Sequence, residues 1–121
     1  MQDQQQVIDA WNANASPGIE AQVYDFFTPQ PVKGARAYYM RTIIHDNQDD
    51  LAKEILQSTT SAFYKDSMLL INDIVLPDSG MVRWRAIMVA QDMMSSLAAK
   101  GRTEKELYAL LGSVGLETIK I

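Results

Sequence analysis

The sequence predicts an α/β fold built on a mostly parallel sheet, and three observations carry that expectation. Residues 35–77 read as strand, helix, strand, a unit whose crossover is right-handed in nearly all parallel sheets. Within it, Met68-Leu69-Leu70-Ile71 is an almost uninterrupted apolar run, the pattern of a strand buried on both faces. Residues 51–63 and 107–114 carry apolar positions at spacings of three and four, as amphipathic helices do.

Taken in order, Asp3 precedes a short helix over residues 4–11, with Val7, Ile8 and Trp11 on one face. Ser16-Pro17-Gly18 is a turn signal, and residues 19–27 read as a strand ending Val23-Tyr24-Asp25-Phe26-Phe27. Thr28-Pro29-Gln30-Pro31 breaks it, and Lys33-Gly34 loops into the central strand, which is aromatic and β-branched over residues 35–43. The polar cluster His45-Asp46-Asn47-Gln48-Asp49-Asp50 is then placed to cap a helix starting near Leu51. On that helix Leu51, Ile55, Thr59, Ala62 and Phe63 share one face, with Lys53, Glu54 and Gln57 opposite. The next strand is interrupted by Asn72-Asp73 and ended by Pro77.

Asp78-Ser79-Gly80 turns the chain into a long Met-rich helix over residues 82–99, containing Trp84, Ile87, Met88, Met94 and Leu97. Its methionines read more readily as core filler than as a substrate surface. Thr103-Glu104-Lys105-Glu106 is a capping box, Leu107, Leu110, Leu111 and Val114 form the apolar face behind it, and Gly115 suits the C-terminal cap. Residues 116–121 read as a final strand, which can run antiparallel. Strands are thus expected around Val23, Tyr39, Ile71 and Ile119, and helices around Ile55, Val89 and Leu107, covering both faces of the sheet.

Composition narrows the class. The 121 residues make about one small domain, 47% hydrophobic and 21% charged, which is an ordinary globular balance. A net charge of −4 argues against nucleic acid or an anionic membrane as the main partner. With no cysteine and one histidine, a disulfide framework is excluded and a protein-made zinc site is disfavoured. No apolar run reaches membrane-spanning length and no signal peptide is visible, so a soluble cytoplasmic protein is the default expectation.

The single histidine, His45, sits where the central strand hands over to a helix, and ligands bind at such carboxyl ends in parallel sheets. Parallel strands end at one edge, so His45 and Asp73 are expected to converge there, with the carboxylate holding the imidazole in one tautomer. That pairing suits a general base. On position alone, however, His45 reads more readily as a capping or hydrogen-bonded residue, and Asp73 equally as a loop-end acceptor. Asp3 and Asp25 alone are ordinary helix-start or turn carboxylates, and Arg41 alone is a surface-reaching cation.

An ordered set of segments changes the weight of these residues. Asp25-Phe26-Phe27, Tyr39-Met40-Arg41-Thr42-Ile43-Ile44-His45-Asp46, Leu70-Ile71-Asn72-Asp73-Ile74-Val75-Leu76-Pro77, Arg102-Thr103-Glu104 and Gly115-Leu116 follow one another along essentially the whole chain. Together they resemble the S-adenosylmethionine-dependent small-molecule O-methyltransferases of the plant caffeate and fungal secondary-metabolite type. The resemblance implies a methyl transfer from S-adenosylmethionine to a phenolic or related hydroxyl of a small aromatic molecule. His45 falls on the family's base and Asp73 on the acid that orients it. Asp3 falls on the carboxylate that holds the cofactor ribose, Asp25 and Phe26 on the pair beside the adenine, and Arg41 on a basic residue near the cofactor.

Three departures from the family pattern accompany the resemblance. Asn47 stands where the family has Trp after His-Asp, and Gly101 where it usually has Glu before Arg-Thr. The family's first Rossmann-like strand, its glycine-rich loop and its N-terminal helical domain would lie before Met1. Residues 1–121 are therefore expected to be the C-terminal part of the catalytic domain, with a partial sheet. The strand over residues 36–44 would lack a neighbour, leaving an apolar edge open to self-association. The alternative is a non-catalytic remnant or interaction module that binds no cofactor.

Overall fold

A computed structural model describes residues 1–12, 16–77, 79, 84, 88 and 101–120. The fold is α/β, and its centre is the expected strand–helix–strand unit. Strand β3 (Ala37–Arg41) pairs in parallel with β4 (Met68–Asn72) over five residue pairs, from Ala37↔Met68 to Arg41↔Asn72, and helix α2 (Asp49–Thr60) forms the crossover. Ahead of it, β1 (Gln2–Asp3), α1 (Gln5–Asn12) and β2 (Gln22–Val23) make a smaller unit of the same kind, with β1 and β2 parallel. Past Asn72 the chain changes partner. Strand β5 (Val75–Leu76) pairs in parallel with β6 (Arg102–Thr103), which runs directly into α3 (Glu104–Ser113).

The core lies on one face of the β3–β4 ladder. Met40, Ile44, Ala52, Ile55, Leu56, Leu107, Leu110 and Leu111 form one buried cluster, with Leu69 and Ile71 packed against it. Helix α2 is turned one residue from the expected face: Ala52, Ile55, Leu56 and Thr59 are buried, whereas Leu51 is 44% exposed. Its start differs too. Residues Ile44–Asp46 form a 3₁₀ turn, α2 begins at Asp49, and its N-cap Gln48 makes no side-chain cap. Asp49 and Asp50 instead set negative charge in the first turn, where the helix dipole favours it.

Among the described residues, helices cover the β3–β4 ladder on one face, where the sequence predicts cover on both. Tyr39, Leu70 and Met68 are 60%, 47% and 40% exposed, while Tyr38 and Met40, on the opposite face, are buried. An apolar run therefore signals burial on one face here, because α2 and α3 both contribute to the same core. The strand expected over residues 19–27 shrinks to Gln22–Val23. Asp25 is the cause: its Oδ1 accepts the Phe27 N–H at 3.0 Å and its carbonyl accepts the Thr28 N–H at 2.9 Å, which turns the chain out of the extended path.

No strand forms over residues 116–120, where Ile119 is 91% exposed. Helix α3 closes in a Schellman arrangement. Gly115 is left-handed at φ 78°, and the Leu116 N–H reaches back to the Leu111 carbonyl at 3.1 Å. At the other end of α3 the capping box is complete: Thr103 Oγ1 accepts the Glu106 N–H at 3.3 Å, and the Glu106 carboxylate accepts the Thr103 N–H at 2.9 Å. The expected helix over residues 82–99, centred on Val89, lies outside the described residues except at Trp84 and Met88, which are helical and exposed. Among the described residues, no helix is long and apolar enough to cross a membrane.

Because Ile55 is fully buried in α2, Ile55→Ala should destabilise the fold by about 2–5 kcal/mol in urea unfolding. Leu51→Ala, on the exposed side, should stay within roughly 0.5 kcal/mol of the parent.

Candidate active site

Strand β3 ends abruptly. Thr42 takes a left-handed conformation at φ 55°, unusual for a β-branched residue, and this bends the chain from the strand into the 3₁₀ turn at Ile44–Asp46. His45 is the middle residue of that turn, and Asp73 is the first residue past the paired end of β4. The parallel pairing of β3 and β4 brings both residues to one edge.

Their side chains meet directly. Asp73 Oδ1 lies 2.5 Å from His45 Nδ1, and Asp73 Oδ2 accepts the backbone N–H groups of Ile44 at 3.1 Å and His45 at 3.3 Å. A carboxylate already accepting two N–H groups is an acceptor toward the ring as well. Such a carboxylate can hold the ring proton on Nδ1, in the tautomer whose Nε2 is the accepting nitrogen. The two side chains are only 10% and 6% exposed, so the pair is largely shielded from water. The same carboxylate caps the 3₁₀ turn from just past the end of β4, which the turn's own N-cap residue, Ile43, does not do.

Nε2 faces a second carboxylate. Asp46 Oδ1 lies 3.0 Å away but off the line of a hydrogen bond, and this buried oxygen has no hydrogen-bond partner among the described residues. The Asp46 side chain is 31% exposed, which leaves it room to turn away from the ring.

The four other residues singled out by sequence gather elsewhere. Asp3, Asp25, Phe26 and Arg41 line one open cleft of about 860 Å³, between the β1–β2 ladder and the edge of β3. Asp3 stands at the end of β1 and accepts the Gln4 N–H at 2.8 Å. Phe26 lies in the turn after β2, with its ring edge-on to Phe27 at 4.9 Å. Beside them the Tyr24 hydroxyl donates to the Thr28 carbonyl at 2.8 Å, and burial together with the Asp25 charge raises its pKa above the ordinary tyrosine value. Ile43, two residues before His45, also lines the cleft, whereas His45 and Asp73 are not part of its wall.

Sequence reasoning gave Arg102 no role of its own. It is 4% exposed, and its guanidinium donates to the Ile44 carbonyl at 2.7 Å, the Asn47 carbonyl at 2.8 Å and Asp49 Oδ1 at 2.8 and 3.0 Å. No spacing links residues 53 to 58 apart in sequence, so only the fold reveals this contact. Asn47, in the position of the family's Trp, folds its side-chain amide back onto the Ile43 carbonyl at 2.8 Å.

Comparison with known proteins places these features in a family context. The model of the O-methyltransferase domain family matches residues 3–117. The O-methyltransferase ucdC of Aspergillus ustus is 40% identical over 105 residues, covering 87% of this chain and 27% of its own length. The demethylsterigmatocystin 6-O-methyltransferase stcP of Emericella nidulans is 40% identical over 109 residues, covering 90% of this chain and 53% of its own. This chain therefore spans about a quarter to a half of those relatives. Among solved structures, OxaC in complex with SAH and oxaline superposes with a TM-score of 0.85 at 37% identity, over 98% of this chain and 31% of that one. A structure described as a pericyclic reaction enzyme superposes at 0.89, also at 37% identity, over 94% and 29%.

Removing the Asp73 side chain strands the N–H of Ile44, a residue only 1% exposed. Asp73→Ala should therefore destabilise the fold by about 1–3 kcal/mol, read as a shift of the urea midpoint at unchanged slope.

Proposed function

This chain belongs to the O-methyltransferase domain family, and we propose that it is the C-terminal part of a catalytic domain that methylates a hydroxyl of a small aromatic molecule, with His45 as general base. The observation that carries the reading is the direct Nδ1–Asp73 contact at 2.5 Å, which leaves Nε2 as the proton acceptor. S-adenosylmethionine would supply a methyl group already activated on a sulfonium centre. The residues of the chain then have little covalent work to do: they hold the acceptor hydroxyl in line and take its proton. His45 Nε2 takes that proton, Asp73 keeps the ring in the required tautomer, and Asp46 rotates out of the approach to Nε2.

The donor set of the cleft fits the nucleoside half of such a cofactor. Asp3 at the end of β1 suits ribose hydroxyls, Phe26 with Asp25 suits the adenine, and Arg41 stands on the neighbouring strand. The residues that would cradle the methionine half are not among them. Asn47, turned onto Ile43, adds no aromatic wall.

The second reading, a remnant or interaction module without cofactor, has an observation of its own. Among the described strands β3 pairs with β4 alone, and the alternation of a parallel ladder turns the backbone groups of Ala37, Tyr39 and Arg41 toward the cleft. An edge of this kind invites pairing with a second copy of the chain.

Two experiments separate these readings. With this segment exchanged for the matching one of the Aspergillus ustus relative, His45→Ala should lower turnover by roughly 10²–10⁴-fold. Cofactor affinity should change little, because the base acts mainly in the transition state. Equal turnover would remove the base assignment. For the chain alone, calorimetric titration with S-adenosylmethionine should show weak or no binding, and size-exclusion chromatography should show species larger than a monomer. Low-micromolar binding by a monomer would contradict both expectations.

A further inference from the structure

We propose that Arg102 is a positioning residue for His45, acting with Asp73 as the second jaw of a clamp on the turn that carries the imidazole. The inference rests on the reading of His45 as base, but its geometry stands apart from it. Among the described residues Arg102 is the one charged residue buried over its whole length, backbone included. A buried guanidinium is costly unless its donors are met by well-placed acceptors. Three of its acceptors, among the described residues, bracket His45 in sequence: the Ile44 carbonyl before it, then the Asn47 carbonyl and the Asp49 carboxylate after it.

The two jaws divide the backbone chemistry of the turn between them. Asp73 takes the N–H groups of Ile44 and His45, and Arg102 takes the carbonyls of Ile44 and Asn47. Negative charge thus meets the donor end of the turn and positive charge its acceptor end. Gripped on both sides, the turn cannot rotate about its own axis, so the direction in which His45 leaves the backbone is fixed. The Asp73–Nδ1 contact then sets the plane of the ring. The strands that carry the jaws are continuous with each other's pairing: Asp73 lies just before β5, and Arg102 begins β6, the partner of β5. Only a planar fork with several donors can reach two carbonyls and a carboxylate together; a lysine ammonium in its place meets one or two.

His45 is the only histidine in the chain, so its imidazole nitrogens can be observed by long-range ¹H–¹⁵N correlation without assignment ambiguity. In the parent the two ring nitrogens should give well-separated shifts, with the proton on Nδ1. In Arg102→Lys, at retained circular dichroism, the two shifts should converge toward those of a mobile imidazole exchanging between tautomers. Asp49→Ala, which removes the half-exposed acceptor and leaves both backbone carbonyls in place, should move them the same way by less. Parent-like shifts in a folded Arg102→Lys would overturn the proposal. Should Arg102→Lys fail to fold, parent-like shifts in Asp49→Ala would overturn it instead. Because the readout is the tautomer and not turnover, an inactive His45 with a clamped ring would count against the base assignment while leaving the clamp intact.

Discussion

The site depends on one carboxylate. Asp73 is not merely near His45: it accepts the N–H of a fully buried residue and the N–H of His45, and it meets Nδ1 of the ring. Buried backbone donors must be satisfied, and Ile44, at the bottom of the core, has no partner for its N–H within its own turn. Stability and chemistry are therefore joined in one side chain. Asp73 can occupy that place because β4 ends at Asn72, so its side chain is released from the ladder to face the neighbouring turn.

How much of this was legible in the sequence follows the range of the forces involved. Local signals read true: the strand–helix–strand unit over residues 35–77, the capping box at Thr103 and Glu106, and the left-handed Gly115 are each fixed by neighbours within a few residues. The convergence of His45 and Asp73 was accessible as well, since parallel pairing follows from a helical crossover and dictates which ends meet. Tertiary balance was not. Which of Leu51 and Ala52 faces the core is set by where α3 packs, and the run Met68–Leu70 is open on one face because both described core helices lie on the other. The short β2 and the unpaired residues 116–120 failed for a related reason: strand propensity has no effect without a partner edge, and a side-chain turn such as that of Asp25 wins when none is offered.

The departures from the family pattern become intelligible at the turn. Where the family pattern has a tryptophan after His-Asp, Asn47 donates to the Ile43 carbonyl while its own carbonyl receives Arg102. Its side chain thus helps to close the turn from which His45 projects. Gly101, where a glutamate would offer the histidine a second acid, precedes the residue that grips the turn from the far side. The second acid near the ring in this chain is Asp46, the residue next to His45 itself, at 3.0 Å from Nε2. The contacts of Asp73, Arg102 and Asn47 all fall on the backbone between Ile43 and Asn47, with Arg102 also meeting the Asp49 carboxylate. A turn held so closely by its own protein keeps the histidine oriented even where the cleft beside β1 and β3 lies open, since none of the bonds that hold it passes through that cleft.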